Sequence, residues 1–256
     1  MALGLAFIYV PLAIVLVNSF NADRTFAWPP PRWTTEWWAR AWDNEGARAA
    51  LWASVKAGLF ATLVALALGT MIAFAVQRYR FFGRDALSLL VVLPIALPGI
   101  VTGIALDTAF RTVVAPLGVG KGLLSVVIGH ATFCVVVVYN NVLARLRRTG
   151  ASLEEASADL GASTFQTFRY VTFPLIRSAL FAGGLLAFAL SFDEIIVTTF
   201  TAGAGVRTLP LWIFENLFRP NQAPVINVVA AVLIVLSVVP IYFAQRISSD
   251  TAGGRL

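Results

Sequence analysis

The chain has 256 residues, of which 59% are apolar and only 12% charged, where a soluble domain carries roughly a quarter charged residues. The apolar residues fall in runs of about twenty, long enough to cross a ~30 Å hydrocarbon core at ~1.5 Å per residue. This excludes an ordinary soluble domain. It also disfavours a β-barrel, whose short alternating segments are missing. The net charge of +6 clusters beside the apolar runs, so it reads as loop orientation rather than nucleic-acid binding.

Six spans are predicted. The first covers Ala2 to Asn18. It has no basic leader and no small-residue cleavage site, so it reads as a retained span, and whether the true start lies upstream is left open. A tryptophan-rich loop follows, with Trp28, Trp33, Trp37, Trp38 and Trp42, and Trp52 opens the next run. Tryptophan favours the headgroup zone, and this predicts a helix lying on the membrane face; a docking surface for an external protein is compatible with it. Span two covers Leu51 to Val76.

Span three runs from Ala86 to Leu106 and contains Pro94 and Pro98, with Gly99 and Gly103. Each proline removes a donor and clashes with the preceding turn. A kinked helix buried in the bundle is expected, acting either as a packing kink or as a gate. Span four covers Leu123 to Val142 and carries His130, Cys134, Asn140 and Asn141. A lone histidine there is expected to be hydrogen-bonded within the bundle. The two asparagines are expected to bond between helices. No spacing suggests a metal site. A single cysteine forms no intrachain disulfide and leaves the redox compartment open.

Residues 143–178 form the longest loop on the basic side. Ser152-Leu-Glu-Glu155 fits a capping box for a short helix. Gly161 suits its left-handed C-terminal cap, Ser163 or Thr164 starts a second short helix, and Pro174 marks a break before the next span. On the first helix Leu153, Ala156 and Leu160 share a face. Ala156 and Ser157 are small enough for another surface to approach closely. Glu155 and Asp159 stand one turn apart, available to basic groups of a partner. Glu155 and Gly161 could equally do no more than start and end the helix.

Span five covers Ser178 to Phe200, with Asp193 and Glu194 inside it. Carboxylates at such a depth are costly and face a wet cavity or a partner. Adjacent helical positions point about 100° apart, so one of the pair is expected on a pathway and the other on a neighbour. Phe192, Phe200 or Tyr139 would add cation–π attraction for a cationic solute. An internal ion pair or hydrogen bond that fixes packing is the competing explanation. Span six covers Val225 to Ala244. Arg78, Arg80 and Arg84, then Arg145, Arg147 and Arg148, and finally Arg246 lie in loops on one side, which places both termini in the cytoplasm. No linker divides the chain, so one transmembrane domain over 1–256 is expected.

At Glu155, Ala156, Ser157, Gly161, Val171, Phe173 and Pro174 the chain resembles the permease subunits of type I ABC importers. Their signature is Glu-Ala-Ala, three residues, Gly, nine residues, then Ile-x-Leu-Pro. Ser157, Val171 and Phe173 are mild departures. Asn18-Ser-Phe-Asn21, Leu93-Pro-Ile-Ala-Leu-Pro-Gly99, Ser191-Phe-Asp-Glu-Ile195 and Thr208-Leu-Pro-Leu-Trp212 are similar to the spermidine/putrescine permeases of the C type. The resemblance implies an all-α fold of six transmembrane helices in the inner membrane of a bacterium. It implies an ATP-driven importer of polyamines working by alternating access. Another small solute remains open: a phosphonate, iron or an organic cation. Glu155, Ala156, Ser157, Asp159, Gly161 and Pro174 would couple the chain to an ATPase. Two ATPase subunits, a second permease and an external solute-binding protein are the implied partners. The chain has no P-loop, so ATP and magnesium would belong to the ATPase and the chain would be no enzyme. A membrane-embedded enzyme lacks its nucleophile, base or metal set here. A secondary transporter would be expected to show paired repeats and more spans.

Overall fold

The computed structural model describes residues 2–24, 26–219 and 221–236. They are helical almost throughout, and among them the one β-type pairing is an isolated bridge between Asn21 and Trp33. In chain order the helices are α1 Ala2–Asn18, α2 Glu36–Asp43, α3 Glu45–Arg78, α4 Arg84–Ala96, α5 Gly99–Ala109, α6 Leu123–Thr149, α7 Ser152–Asp159, α8 Thr164–Thr167, α9 Phe173–Phe192, α10 Ile196–Thr201 and α11 Leu209–Asn216. A further apolar helix, α12, covers Ala223–Leu236. Four helical stretches are long and apolar enough to cross a membrane: Glu45–Arg78, Gly99–Leu117, Leu123–Thr149 and Thr164–Phe192. α1 and α12 are apolar as well but shorter. The last eight residues of the predicted sixth span, and Arg246, lie outside the described residues.

The chain forms two compact units, one of residues 1–52 and 209–256, the other of 53–208. In the first, the turn after α1 is built by Asn21, which is fully buried. Its Oδ1 accepts the Asp23 N–H at 2.9 Å, and its own carbonyl accepts the Trp37 indole N–H at 2.9 Å. Arg24 and Arg40 stand over the Trp37 ring, 5.5 and 4.8 Å from its centre. The tryptophan-rich loop thus does form a helix, α2, with Trp37 buried while Trp42 stays exposed.

In the second unit, α3 presents a ladder of small residues at four-residue spacing: Ala57, Ala61, Ala65, Gly69 and Ala73. Its alanines are fully buried. Helices in lipid associate through close van der Waals contact, which small residues permit. Gly69 shows how close: a Cβ there would lie 2.9 Å from the Val135 carbonyl oxygen and 3.0 Å from the Tyr139 amide nitrogen. The core of this unit gathers α3, α6 and α9 around Tyr139, Leu146 and Ile176.

Three expectations are corrected. The predicted third span is two helices, α4 and α5. Leu97 is extended (ψ 146°) and Pro98 caps α5, so Pro94 lies within α4 while Pro98 starts a new helix. Both helices are largely exposed rather than buried, with Gly103 the buried residue of α5. The crossing stretch runs on through a wide π-helical turn, Phe110–Val114, and a 3-10 turn to Leu117. It continues because Asp107, which a hydropathy scan reads as an end, is ion-paired to Arg111 at 2.8 Å and to Lys121.

Second, the loop expected over 143–178 is shorter. α6 continues to Thr149, and helix resumes at Thr164 and stays unbroken to Phe192. Pro174 does not break it. A π-helical turn, Phe168–Thr172, precedes it, and the Phe173 N–H bonds the Phe168 carbonyl five residues back. The widened turn takes up the missing donor and the ring of Pro174, which an α-helical turn would reject. Third, span five ends at Phe192; Asp193 caps it and α10 is a separate helix.

Candidate functional site

The segment between α6 and α9 is the first candidate site. Gly150, with φ +65°, turns the chain out of α6. The expected capping box at Ser152 and Glu155 is absent. Ala151 is the N-cap, without a side-chain cap, and its carbonyl accepts the Glu154 and Glu155 amides at 3.0 Å each. The capping box is one helix later: Ser163 Oγ accepts the Gln166 N–H at 3.4 Å and Gln166 Oε1 accepts the Ser163 N–H at 2.8 Å. Either Ser-x-x-Glu or Ser-x-x-Gln satisfies the pattern, and only the second uses it.

The end of α7 follows the sequence. Gly161 has φ +82°. Its N–H bonds the Ala158 carbonyl at 2.9 Å and the Ala162 N–H bonds the Ser157 carbonyl at 3.1 Å. This is the paired bonding of a Schellman cap, which favours glycine because L side chains clash in the left-handed region. Gly161→Val is expected to lose about 1–2 kcal/mol of stability, its exit from α7 being strained. Gly161→Asn, which tolerates that backbone better, is expected to lose less. Thermal stability in detergent measures both.

The side chains of α7 divide by direction. Glu154 faces inward: its Oε1 accepts from Arg78 Nη2 at 2.8 Å and from Thr172 Oγ1 at 3.0 Å. Ser157 Oγ shares a hydrogen bond with Thr167 Oγ1 at 3.0 Å. Glu155, Ala156, Asp159, Leu153 and Leu160 are exposed, Leu160 at 89%. Beside them Ser157, Leu160, Gly161, Ala162, Gln166 and Tyr170 line a shallow groove of about 380 Å³. The short helix is therefore anchored on one side and bare on the other. Glu154 escaped the sequence reading because Arg78 is 76 residues away; the one available signal was a second acid in a loop that shares its side with Arg78, Arg80 and Arg84.

The second candidate site is the break after α9. Phe192, the last residue of α9, packs on Phe188 with ring centres 5.8 Å apart. Glu194 turns its carboxylate onto α10, where Oε1 accepts the Val197 N–H at 2.8 Å. Asp193 is exposed; its backbone N–H bonds the Ala189 carbonyl at 3.2 Å, while its carboxylate bonds none of the described residues. One acid is thus bound within the chain and the other open, both at a helix end rather than within a span. Tyr139 is buried, and its hydroxyl donates to Ser88 Oγ at 3.2 Å. Phe200 packs over Gly103, where a Cβ would meet its ring at 2.4 Å.

His130 bridges this break from α6. Its Nδ1 lies 2.7 Å from Ser191 Oγ on α9, and its Nε2 2.8 Å from Thr198 Oγ1 on α10. Thr198 donates its hydroxyl proton to the Glu194 carbonyl at 3.0 Å. Its oxygen therefore accepts from Nε2–H, and Nδ1 accepts from Ser191. A structural histidine, hydrogen-bonded in the bundle, is what the sequence suggested. Asn141 differs: its Nδ2 donates to the Val137 carbonyl of its own helix at 2.9 Å, not across helices. Lys121, which the sequence reading passed over, joins Asp107 and also donates to the Phe200 carbonyl at 3.2 Å.

Residues 65–251 match the family described as binding-protein-dependent transport system inner membrane component. The chain is 34% identical over 249 residues to the spermidine/putrescine transport system permease protein PotC of Escherichia coli (strain K12), covering 97% of this chain and 92% of the relative. It is 31% identical to the putrescine transport system permease protein PotI of the same strain, over 91% of this chain and 83% of the relative. Among solved structures, its fold is similar to that of a bacterial ABC transporter involved in the import of the acidic polysaccharide alginate. The TM-score is 0.68 at 16% identity, over 97% of this chain and 92% of that one.

Proposed function

The chain belongs to the family of binding-protein-dependent transport system inner membrane components, and from that premise we propose that it is a polyamine permease subunit of an ATP-driven importer. The observation that carries the coupling role is the two-sided construction of α7. Glu154 and Ser157 tie it to the permease, while Glu155, Ala156, Asp159 and Leu160 face outward beside an open groove. A solvated loop needs no such bare, small-residue helix; a docking element does.

In this proposal α7 seats on a cytoplasmic ATPase subunit, which holds the ATP and magnesium. Two such subunits serve two permeases, similar or identical, and a solute-binding protein delivers the polyamine from outside. Arg78 of α3 bonds the Gly150 carbonyl at 3.0 Å, so the basic loops after α3 and α6 share a side. The excess of arginine there assigns that side, and both termini, to the cytoplasm. Closure of the ATPases moves α7, and the pathway alternates between its two faces. Asp193 is the carboxylate free to meet an ammonium group, with Phe192 beside it.

Two measurements test this. Vesicles holding the permease pair with its ATPase are expected to take up labelled spermidine or putrescine when the binding protein is outside and ATP inside. Uptake that persists without ATP would mean a secondary transporter, and ATP-driven uptake of another solute alone would remove the polyamine assignment. Asp193→Asn is expected to weaken polyamine uptake about fivefold, the loss of one wet charge–charge contact. Glu194→Gln is expected to stay within about twofold, because an amide oxygen still accepts the Val197 N–H.

A further inference from the structure

We infer that Glu154 is the positioning residue through which movement of α7 reaches two membrane helices at once. The inference rests on the coupling reading above and goes beyond it: it names the point where the load enters the membrane helices. Glu155 and Glu154 are adjacent, so their side chains leave the helix about 100° apart. Glu155 is exposed, whereas Glu154 is turned to the permease.

One oxygen of Glu154 serves two separate elements. Arg78, the last residue of α3, donates to it at 2.8 Å. Thr172, the last residue of the π-helical turn that leads into α9, donates at 3.0 Å. The same Arg78 nitrogen donates to the Gly150 carbonyl at 3.0 Å, on the other flank of the α7 N-terminus. The ion pair is poorly solvated, with Arg78 and Glu154 side chains 16% and 22% exposed, and Thr172 is buried. Such charge-assisted bonds are short and strong compared with neutral ones, and salt screens them little. α7 therefore moves with α3 and α9 unless this bond breaks. The second tie, Ser157 to Thr167, meets the same helical run ahead of its π-helical turn and leaves α3 untouched. Thr172 sits where the helix is already widened, a place where a pull changes geometry at least cost.

The test separates docking from transmission. In the wild-type complex the ATPase co-purifies and hydrolysis is coupled to uptake; if no ATPase binds, the coupling reading itself fails, whatever Glu154 does. Given binding, Glu154→Ala is expected to keep the ATPase attached and hydrolysing within about twofold of wild type, while uptake falls at least about tenfold. The number of ATP molecules spent per solute then rises at least about fivefold. Glu154→Gln keeps acceptors for both donors and is expected to restore uptake to within about threefold of wild type. Thr172→Val, close in shape, should lose uptake a few-fold with the ATPase unaffected; it decides the matter if the alanine variant fails to insert. Normal uptake in Glu154→Ala or, failing insertion, in Thr172→Val overturns the inference. So does a parallel loss of ATPase binding and uptake, which would make Glu154 a shaper of the docking surface.

Discussion

Ala156→Trp is expected to abolish ATP-driven uptake while leaving the permease folded and in the membrane. Ala156 is exposed on the outer side of α7, so an indole there displaces nothing within the chain. Surface substitutions of this kind change stability by about 0.5 kcal/mol or less. The same indole would fill the space that a docked surface needs. An interface residue that blocks close packing removes most of the binding energy, because a few central contacts supply it. The expected readings are a normal amount of permease, an ATPase that no longer co-purifies, and uptake at background. Uptake at wild-type level with the ATPase attached would show that α7 is not the docking element.

Gly203→Ala should instead remove the folded protein. The added Cβ would lie 2.0 Å from the Lys121 carbonyl oxygen and 2.4 Å from its carbon. Both are backbone atoms and cannot rotate away. Lys121 is held in place as well, by Asp107 and by the Phe200 carbonyl, so its segment cannot retreat without loosening α5 and α10. Overpacking ordinarily costs about 1–3 kcal/mol, and a backbone clash this deep belongs at or above the upper end. The expected result is a large drop in thermal stability in detergent and little permease in the membrane. Gly120→Ala, where a Cβ would meet nothing within 4 Å, is the control expected to behave as wild type. Equal stability of the two variants would mean that the segments carrying Gly203 and Lys121 are not packed as described.

The sequence was legible wherever a local rule decides the outcome. α1 occupies the predicted residues, Ala2–Asn18, because an uninterrupted apolar run leaves no other economical fold in lipid. Gly161 and Ser163 do what a left-handed cap and an N-cap residue do. The misreadings have physical causes of equal clarity. Pro174 was read as a break because a proline inside a helix usually is one, and the preceding π-helical turn leaves no trace in hydropathy. The third span was set too early because Asp107 and Arg111 look like the end of an apolar run, whereas paired with each other and with Lys121 they let the helix go on. The break at Asp193 was hidden by apolar residues on both sides. Glu154 depends on a partner far away in sequence, and no local pattern encodes such a meeting.

The unbroken run from Thr164 to Phe192 has a mechanical consequence. From the π-helical turn to Phe192 it extends about twenty residues, or ~30 Å. A rotation of about 10° at that turn would swing the far end, with Asp193 attached, by ~5 Å, more than the length of a hydrogen bond. A stiff rod hinged near its base thus magnifies a small angular step at the membrane surface into a displacement large enough to expose or shield a cation at its tip.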